Sequence, residues 1–197
     1  MRTMLAGLTI ALVAGLSAST PLNPLPPIVD DVESTTFSAE IVHNYLWKCP
    51  ECTPAEQYVL TELQTQTQIT DKNALATLMG NIKQESKFIP NICEGGARVS
   101  YENCLSGGYG LIQWTSIGRY RGLGRFCAKY ICDPSSLEGQ TRWMINEPIF
   151  QRNLPVFEGS GQSISYYMKP AYRWLGWGIK GNREVYAWDY LEKITSA

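Results

Sequence analysis

Between Ala74 and Ser86 the apolar residues Leu75, Leu78, Met79 and Ile82 recur at helical spacing, the signature of a helix with one face on a core. Carried one turn further, the same stripe lands on Glu85 and Ser86. A carboxylate therefore stands where the pattern demands a core residue, and an ionised carboxyl there is costly unless it is paired. Two outcomes are open: a structural carboxylate tied to a buried amide or arginine, or a carboxyl that stays protonated with a raised pKa. The second suits a general acid.

The rest of the chain reads as further helices separated by turn residues. Ile41, Val42, Tyr45 and Leu46 share one side of a first short helix over Phe37 to Trp47. Thr53 as cap and Pro54 in the first turn open a helix reaching Gln66. Thr70 and Asp71 supply the start of the striped helix, which Pro90 ends by pushing Ile89 out of the helical region. Helical pieces are predicted again over Arg119 to Tyr130, Leu137 to Asn146, Ala171 to Trp174 and Arg183 to Ile194, with breaks at Asp133-Pro134-Ser135-Ser136 and Glu158-Gly159-Ser160-Gly161. Between Asn91 and Leu105 the composition predicts a hairpin-like excursion leading into Gly107-Gly108-Tyr109-Gly110. Those glycines let a backbone pass close to a ligand or a neighbouring helix. The fold class expected is mainly α (α+β), several helices with one small β excursion and no internal repeat.

Length and charge narrow the possibilities. The 197 residues, 44% hydrophobic and 18% charged, suffice for one globular domain with a core. A net charge of -1 and a pI near 5.9 leave no basic footprint for nucleic acid. Residues 1–19, with Arg2, an apolar run from Leu5 to Leu16 and small residues at Ser17, Ala18 and Ser19, read as a secretory signal peptide, the run being short for a bilayer span. An uncleaved anchor or unstructured tail is the alternative. Residues 20–36, rich in proline, read as a linker, and 37–197 as the folded domain. The expected location is secreted or extracytoplasmic, with no stable membrane association once the signal is removed.

Six cysteines, Cys49, Cys52, Cys93, Cys104, Cys127 and Cys132, form an even set beside an apparent export signal, which favours three disulfides. Connectivity does not follow from sequence; nearest-neighbour pairing is the simplest expectation, and a structural zinc site of Cys49, Cys52, Cys127 and Cys132 the alternative. The sole histidine, His43, cannot build a multi-histidine site and receives no role. No cofactor and no catalytic metal is expected. Five of the six tryptophans, Trp114, Trp143, Trp174, Trp177 and Trp188, lie in the second half, as rings of a sugar groove or of an ordinary core.

The blocks Asn81-Ile82-Lys83-Gln84-Glu85-Ser86-Lys87-Phe88-Ile89-Pro90 and Gly108-Tyr109-Gly110-Leu111-Ile112-Gln113-Trp114-Thr115 resemble the phage tail lysozyme family of the lysozyme-like superfamily. More loosely they are similar to goose-type lysozymes and lytic transglycosylases, which share a Glu-Ser at a helix end and a Gly-Leu-x-Gln segment. Gly118-Arg119, Leu137-x-x-Gln140 and Tyr186 to Tyr190 also fit, so the resemblance covers roughly Asp71 to Leu191.

It implies a lysozyme-like fold around a catalytic helix and cleavage of the β-1,4 bond between N-acetylmuramic acid and N-acetylglucosamine in peptidoglycan glycan strands. Glu85 matches the general acid, and Gln113 the glutamine facing it, whose amide can donate and accept. Ser86 is expected beside the acid, and Tyr109 and Trp114 as groove walls or core. Two-carboxylate glycosidases need a base or nucleophile; Glu94 and Glu102 in the excursion are the candidates. In the transglycosylase alternative one glutamate serves as acid and then base, and the sugar's 6-hydroxyl attacks. The other alternative is a non-catalytic glycan-binding or structural tail module. The resemblance also implies virion tail components as partners and a virion-associated location beside the secreted one. Six cysteines and a signal are more like a secreted protein than a cytoplasmically assembled tail part.

Overall fold

A computed structural model describes residues 46–197. The signal segment, the proline-rich linker, His43 and most of the first expected helix lie outside the described residues. The end of that helix is corrected: Trp47–Lys48 is a strand, β1, paired antiparallel with β2, Thr195–Ser196. This register brings Trp47 opposite Ser196 and Lys48 opposite Thr195, joining the two ends of the domain.

Seven helices lie between these strands: α1 Pro54–Gln66, α2 Lys72–Ser86, α3 Ile117–Tyr130, α4 Leu137–Asn146, α5 Pro148–Phe157, α6 Ile164–Leu175 and α7 Arg183–Lys193. The domain is mainly helical with a small antiparallel sheet, as the fold class predicts. Thr53 caps α1 with a full capping box, its side chain accepting from the Glu56 N–H while Glu56 accepts from the Thr53 N–H. Asp71 caps α2 by accepting from the Asn73 and Ala74 N–H groups.

Every residue of α2 from Ala74 to Ile82 is buried. The stripe predicted one buried face; the helix is instead surrounded, packed against α1, α6 and α7. Its polar side chains turn their donors back on the helix, while the Asn81 Oδ1 is buried without a partner among the described residues. Thr77 donates to the Asn73 carbonyl, and Asn81 to that of Thr77. The closest approach is to α7. A Cβ on Gly80 would lie 2.7 Å from the Arg183 carbonyl oxygen and 2.8 Å from the Ala187 Cα, so only glycine fits there.

The helix ends at Ser86, earlier than Pro90 alone requires. Lys87 and Phe88 both adopt left-handed backbone, with φ 53° and 61°, and the Lys87 N–H closes the last turn on the Lys83 carbonyl. This reversal drives Phe88 into the core, edge-on to Tyr190 with ring centroids 6.1 Å apart.

Two helices differ from expectation through proline. Residues 148–157, unassigned from sequence, form α5 despite Pro155, and α6 runs straight through Pro170 from Ile164. The carbonyls deprived of a partner belong to Gln151 and Tyr166, both exposed residues, where water can satisfy them. The excursion over Asn91 to Leu105 is held by single bridges, Ile92 to Arg98 and Cys93 to Tyr109, with one 3-10 turn at Tyr101–Asn103. Disulfides join Cys49 to Cys52, Cys93 to Cys104 and Cys127 to Cys132. Nearest-neighbour pairing is therefore what forms, and it consumes all four cysteines of the zinc alternative.

Candidate active site

The last turn of α2 sends four consecutive side chains to four different places. Lys83 meets Glu56 of α1 at 3.4 Å and lies 5.1 Å from the Tyr190 ring centroid. Gln84 accepts from the Asn182 N–H at 2.9 Å. Glu85 pairs with the Arg183 guanidinium at the start of α7. Ser86 donates to the Leu111 carbonyl at 2.7 Å. The acid is thus fixed between the first turn of α7 and the glycine loop.

Glu85 carries a feature of each outcome left open for it, an arginine partner and a raised pKa. Its side chain is 15% exposed and that of Arg183 6% exposed. Burial pushes the Glu85 carboxyl above its ordinary value, while the charge and hydrogen bond of Arg183, and more remotely the charge of Arg119, pull the other way; burial prevails. Arg183 is itself held by the Ile179 and Lys180 carbonyls and lies 4.7 Å from the Trp177 ring centroid. A buried carboxyl with a raised pKa keeps its proton to higher pH than an ordinary glutamate, and a fixed cation beside it stabilises the anion once the proton leaves.

The glycine loop is positioned by Gln140 of α4, which is fully buried. Its Oε1 accepts from the Leu111 N–H at 2.7 Å, and its Nε2 donates to the Pro90 and Pro134 carbonyls at 2.7 and 2.8 Å. One amide therefore ties the end of the α2 segment, the glycine loop and the turn before α4. Gly110, with φ 74°, has no Cβ because a Cβ would strike that amide, 2.7 Å from its Nε2.

Gln113 sits on this loop in left-handed backbone, φ 52°, a strained conformation for a residue with a Cβ. Its Nε2 donates to the Gly110 carbonyl at 3.0 Å and the Ile92 carbonyl at 3.4 Å. Of the two readings open for Tyr109 and Trp114, groove wall or core, the packing favours the second, and Ser86 lies beside Glu85 as expected. Tyr109 and Trp114 are both 0% exposed and form core, not groove walls; Tyr109 packs edge-on to Tyr101 and Tyr120. Ser86, also buried, spends its hydroxyl on the backbone and is a positioning residue rather than a sugar contact.

The second-carboxylate candidates lie on the surface of the excursion. Glu94 is exposed but folds over the glycine loop, accepting from the Gly108 N–H at 3.0 Å. Glu102 is exposed on the 3-10 turn. The charges that act on Glu85 are both guanidiniums. Two further buried acids are committed elsewhere. Glu147 holds Arg119 in a two-pronged pair at 2.6 and 2.7 Å. Glu56 accepts from Tyr190; burial would raise it, but that bond, those from Thr53 and the charge of Lys83 hold it below its ordinary value.

Sequence reasoning missed Arg183 and Arg119 as partners of the acid. A carboxylate on a core stripe signals that a cation is needed, yet Arg183 stands 98 positions away and nothing local marks it. Among the described residues no group of three or more His, Cys, Asp or Glu converges on a metal position, and no helix is long and apolar enough to cross a membrane.

The family model described as phage tail lysozyme matches residues 55–168. Glu85, Gln113 and Gln140 fall inside that segment, whereas Arg183 lies beyond it. No curated protein and no solved structure matches the chain.

Proposed function

The chain belongs to the phage tail lysozyme family, and on that premise we propose that it lyses peptidoglycan by cleaving the β-1,4 bond between N-acetylmuramic acid and N-acetylglucosamine, with Glu85 as the general acid. The observation that carries this reading is the environment of Glu85. A carboxyl raised by burial, at the end of a rigid central helix, is suited to protonating a leaving glycosidic oxygen. Arg183 then stabilises the carboxylate left behind. Gln113, with its amide nitrogen already engaged, offers its oxygen to a sugar acetamido N–H. Action outside the cytoplasm follows from the substrate, and association with a virion tail is part of the same proposal.

One observation favours the transglycosylase form of this chemistry. Among the described residues the charges that shift Glu85 are guanidiniums, and Glu94 is drawn onto the Gly108 N–H, an arrangement that suits a single glutamate serving twice. Protonated Glu85 gives its proton to the leaving oxygen. The resulting carboxylate takes the proton of the muramic acid 6-hydroxyl as that oxygen closes on C1, giving a 1,6-anhydro end; attack by water gives a reducing end instead.

Purified protein and Glu85→Gln, compared on sacculi in a zymogram, test the assignment. Clearing by wild type alone supports it. Equal clearing by both removes Glu85 as the acid, and binding without clearing by wild type leaves a non-catalytic glycan or tail module. Mass spectrometry of the fragments then separates reducing from anhydro ends.

A further inference from the structure

A groove of about 410 Å³ lies at the corner between α6 and α7, lined by Met168, Lys169, Tyr172, Arg173, Trp177 and Lys180. None of these residues was assigned a role above except Trp177, and then only for its contact with Arg183. We propose that this groove is a subsite for a carboxylate-bearing amino sugar of the peptidoglycan strand. The proposal rests on the glycan-lysing reading of Glu85 and names where the strand extends from it.

Three observations support it. One wall of the groove adjoins the partner of Glu85: the buried guanidinium that lies 4.7 Å from the Trp177 ring centroid is the one paired with Glu85. Its floor is aromatic and apolar. Tyr172 and Trp177 meet edge to face at 5.2 Å and 74° beside Met168, and Tyr172 is 53% exposed. Sugar rings present apolar C–H faces that stack on such rings while their hydroxyls stay in water.

The rim is cationic in a chain whose net charge is only -1. Lys180 is paired with Glu184, and the Arg173 Nε donates to Asn153 at 3.2 Å. Lys169 and the outer nitrogens of Arg173 are thus the donors that face an incoming anion. A neutral glycan would satisfy the floor and leave the rim idle. A strand bearing lactyl or stem-peptide carboxylates satisfies both.

The test uses the full chain carrying Glu85→Gln, so that binding is read without cleavage. Sedimentation with sacculi stripped of wall polymers, and with insoluble chitin as the uncharged glycan, measures affinity. Tyr172→Ala is expected to weaken sacculus binding about tenfold, the loss of one stacking contact. Lys169→Glu is expected to abolish the preference for sacculi over chitin. Trp188→Ala, an exposed ring on α7 outside the groove, should bind like its parent. Circular dichroism and melting temperature establish that each variant is folded, which exposed positions permit. Undiminished binding by both folded groove variants overturns the subsite.

Wild-type lysis, measured separately, keeps the two readings apart. Protein that clears nothing yet loses binding with Tyr172→Ala retains the subsite and removes the hydrolase. Protein that clears sacculi while its groove variants bind undiminished does the reverse.

Discussion

Gly80 and Ala187 pack backbone against backbone at the crossing of α2 and α7, with no space for a methyl group between them. Because the neighbour is main chain rather than a flexible side chain, nothing local can yield. Gly80→Ala adds helix propensity worth about 1 kcal/mol, but overpacking of a rigid contact costs about 1–3 kcal/mol, and here it must displace a whole helix. The variant is expected to melt at lower temperature. It should also lose activity beyond what its unfolded fraction explains, since α7 carries Arg183 away from Glu85 as it shifts. Melting curves beside turbidity assays at a temperature where both proteins are folded check this.

The raised pKa of Glu85 ties stability to pH. Below the ordinary glutamate value the carboxyl is neutral in folded and unfolded chains alike. As pH rises from there through the raised folded value, the native state must surrender a proton it holds more tightly than the unfolded chain does, so stability falls. Glu85→Gln is neutral throughout and escapes that slope. The gap in melting temperature between wild type and Glu85→Gln should therefore shift in favour of the variant from about pH 4 to about pH 7. A shift in favour of wild type would show that Arg183 outweighs burial.

Removing the cation makes the complementary case. In Arg183→Met the burial of Glu85 is unopposed by its nearest charge, so its pKa climbs further. The alkaline limb of the pH–activity profile, where the acid loses its proton, is expected to move to higher pH even as the maximal rate falls. Rate measurements across pH, on protein shown to be folded, decide it; an alkaline limb unchanged in position would detach Arg183 from the titration.

Gln140 is the corresponding device for the glycine loop. Gln140→Leu keeps the volume roughly but orphans the buried Leu111 N–H and removes the donor from the part-buried Pro90 and Pro134 carbonyls. At about 1–3 kcal/mol for the buried group and less for the two carbonyls that water can reach, the loss should be about 2 kcal/mol or more. Chemical denaturation gives the value directly. Hydrogen exchange should rise first at the Leu111 and Gln113 amides.

What was legible in the sequence was whatever is encoded locally. Thr53 and Pro54 announce the start of α1 by their own chemistry, and the stripe ending on Glu85 marks a carboxylate on a core position because helical periodicity needs no partner to be read. Partners were not legible. Tyr109 and Trp114 carry the same rings whether they line a groove or fill a core, and only the packing of Tyr101 and Tyr120 around Tyr109 decides. Arg183 is one of many cations until α7 is laid on α2. The helices through Pro155 and Pro170 were not legible either, because the exposure of Gln151 and Tyr166, which makes those prolines tolerable, is a property of the folded surface.

The four contacts made by Lys83, Gln84, Glu85 and Ser86 constrain more than one carboxyl. They point to α1, the turn before α7, α7 itself and the glycine loop, so they restrain the end of α2 from several sides. A rotation or slide of that turn works against all four. The acid therefore has little freedom to be retuned by drift of a single neighbour, and the helix end should open as a unit or stay closed.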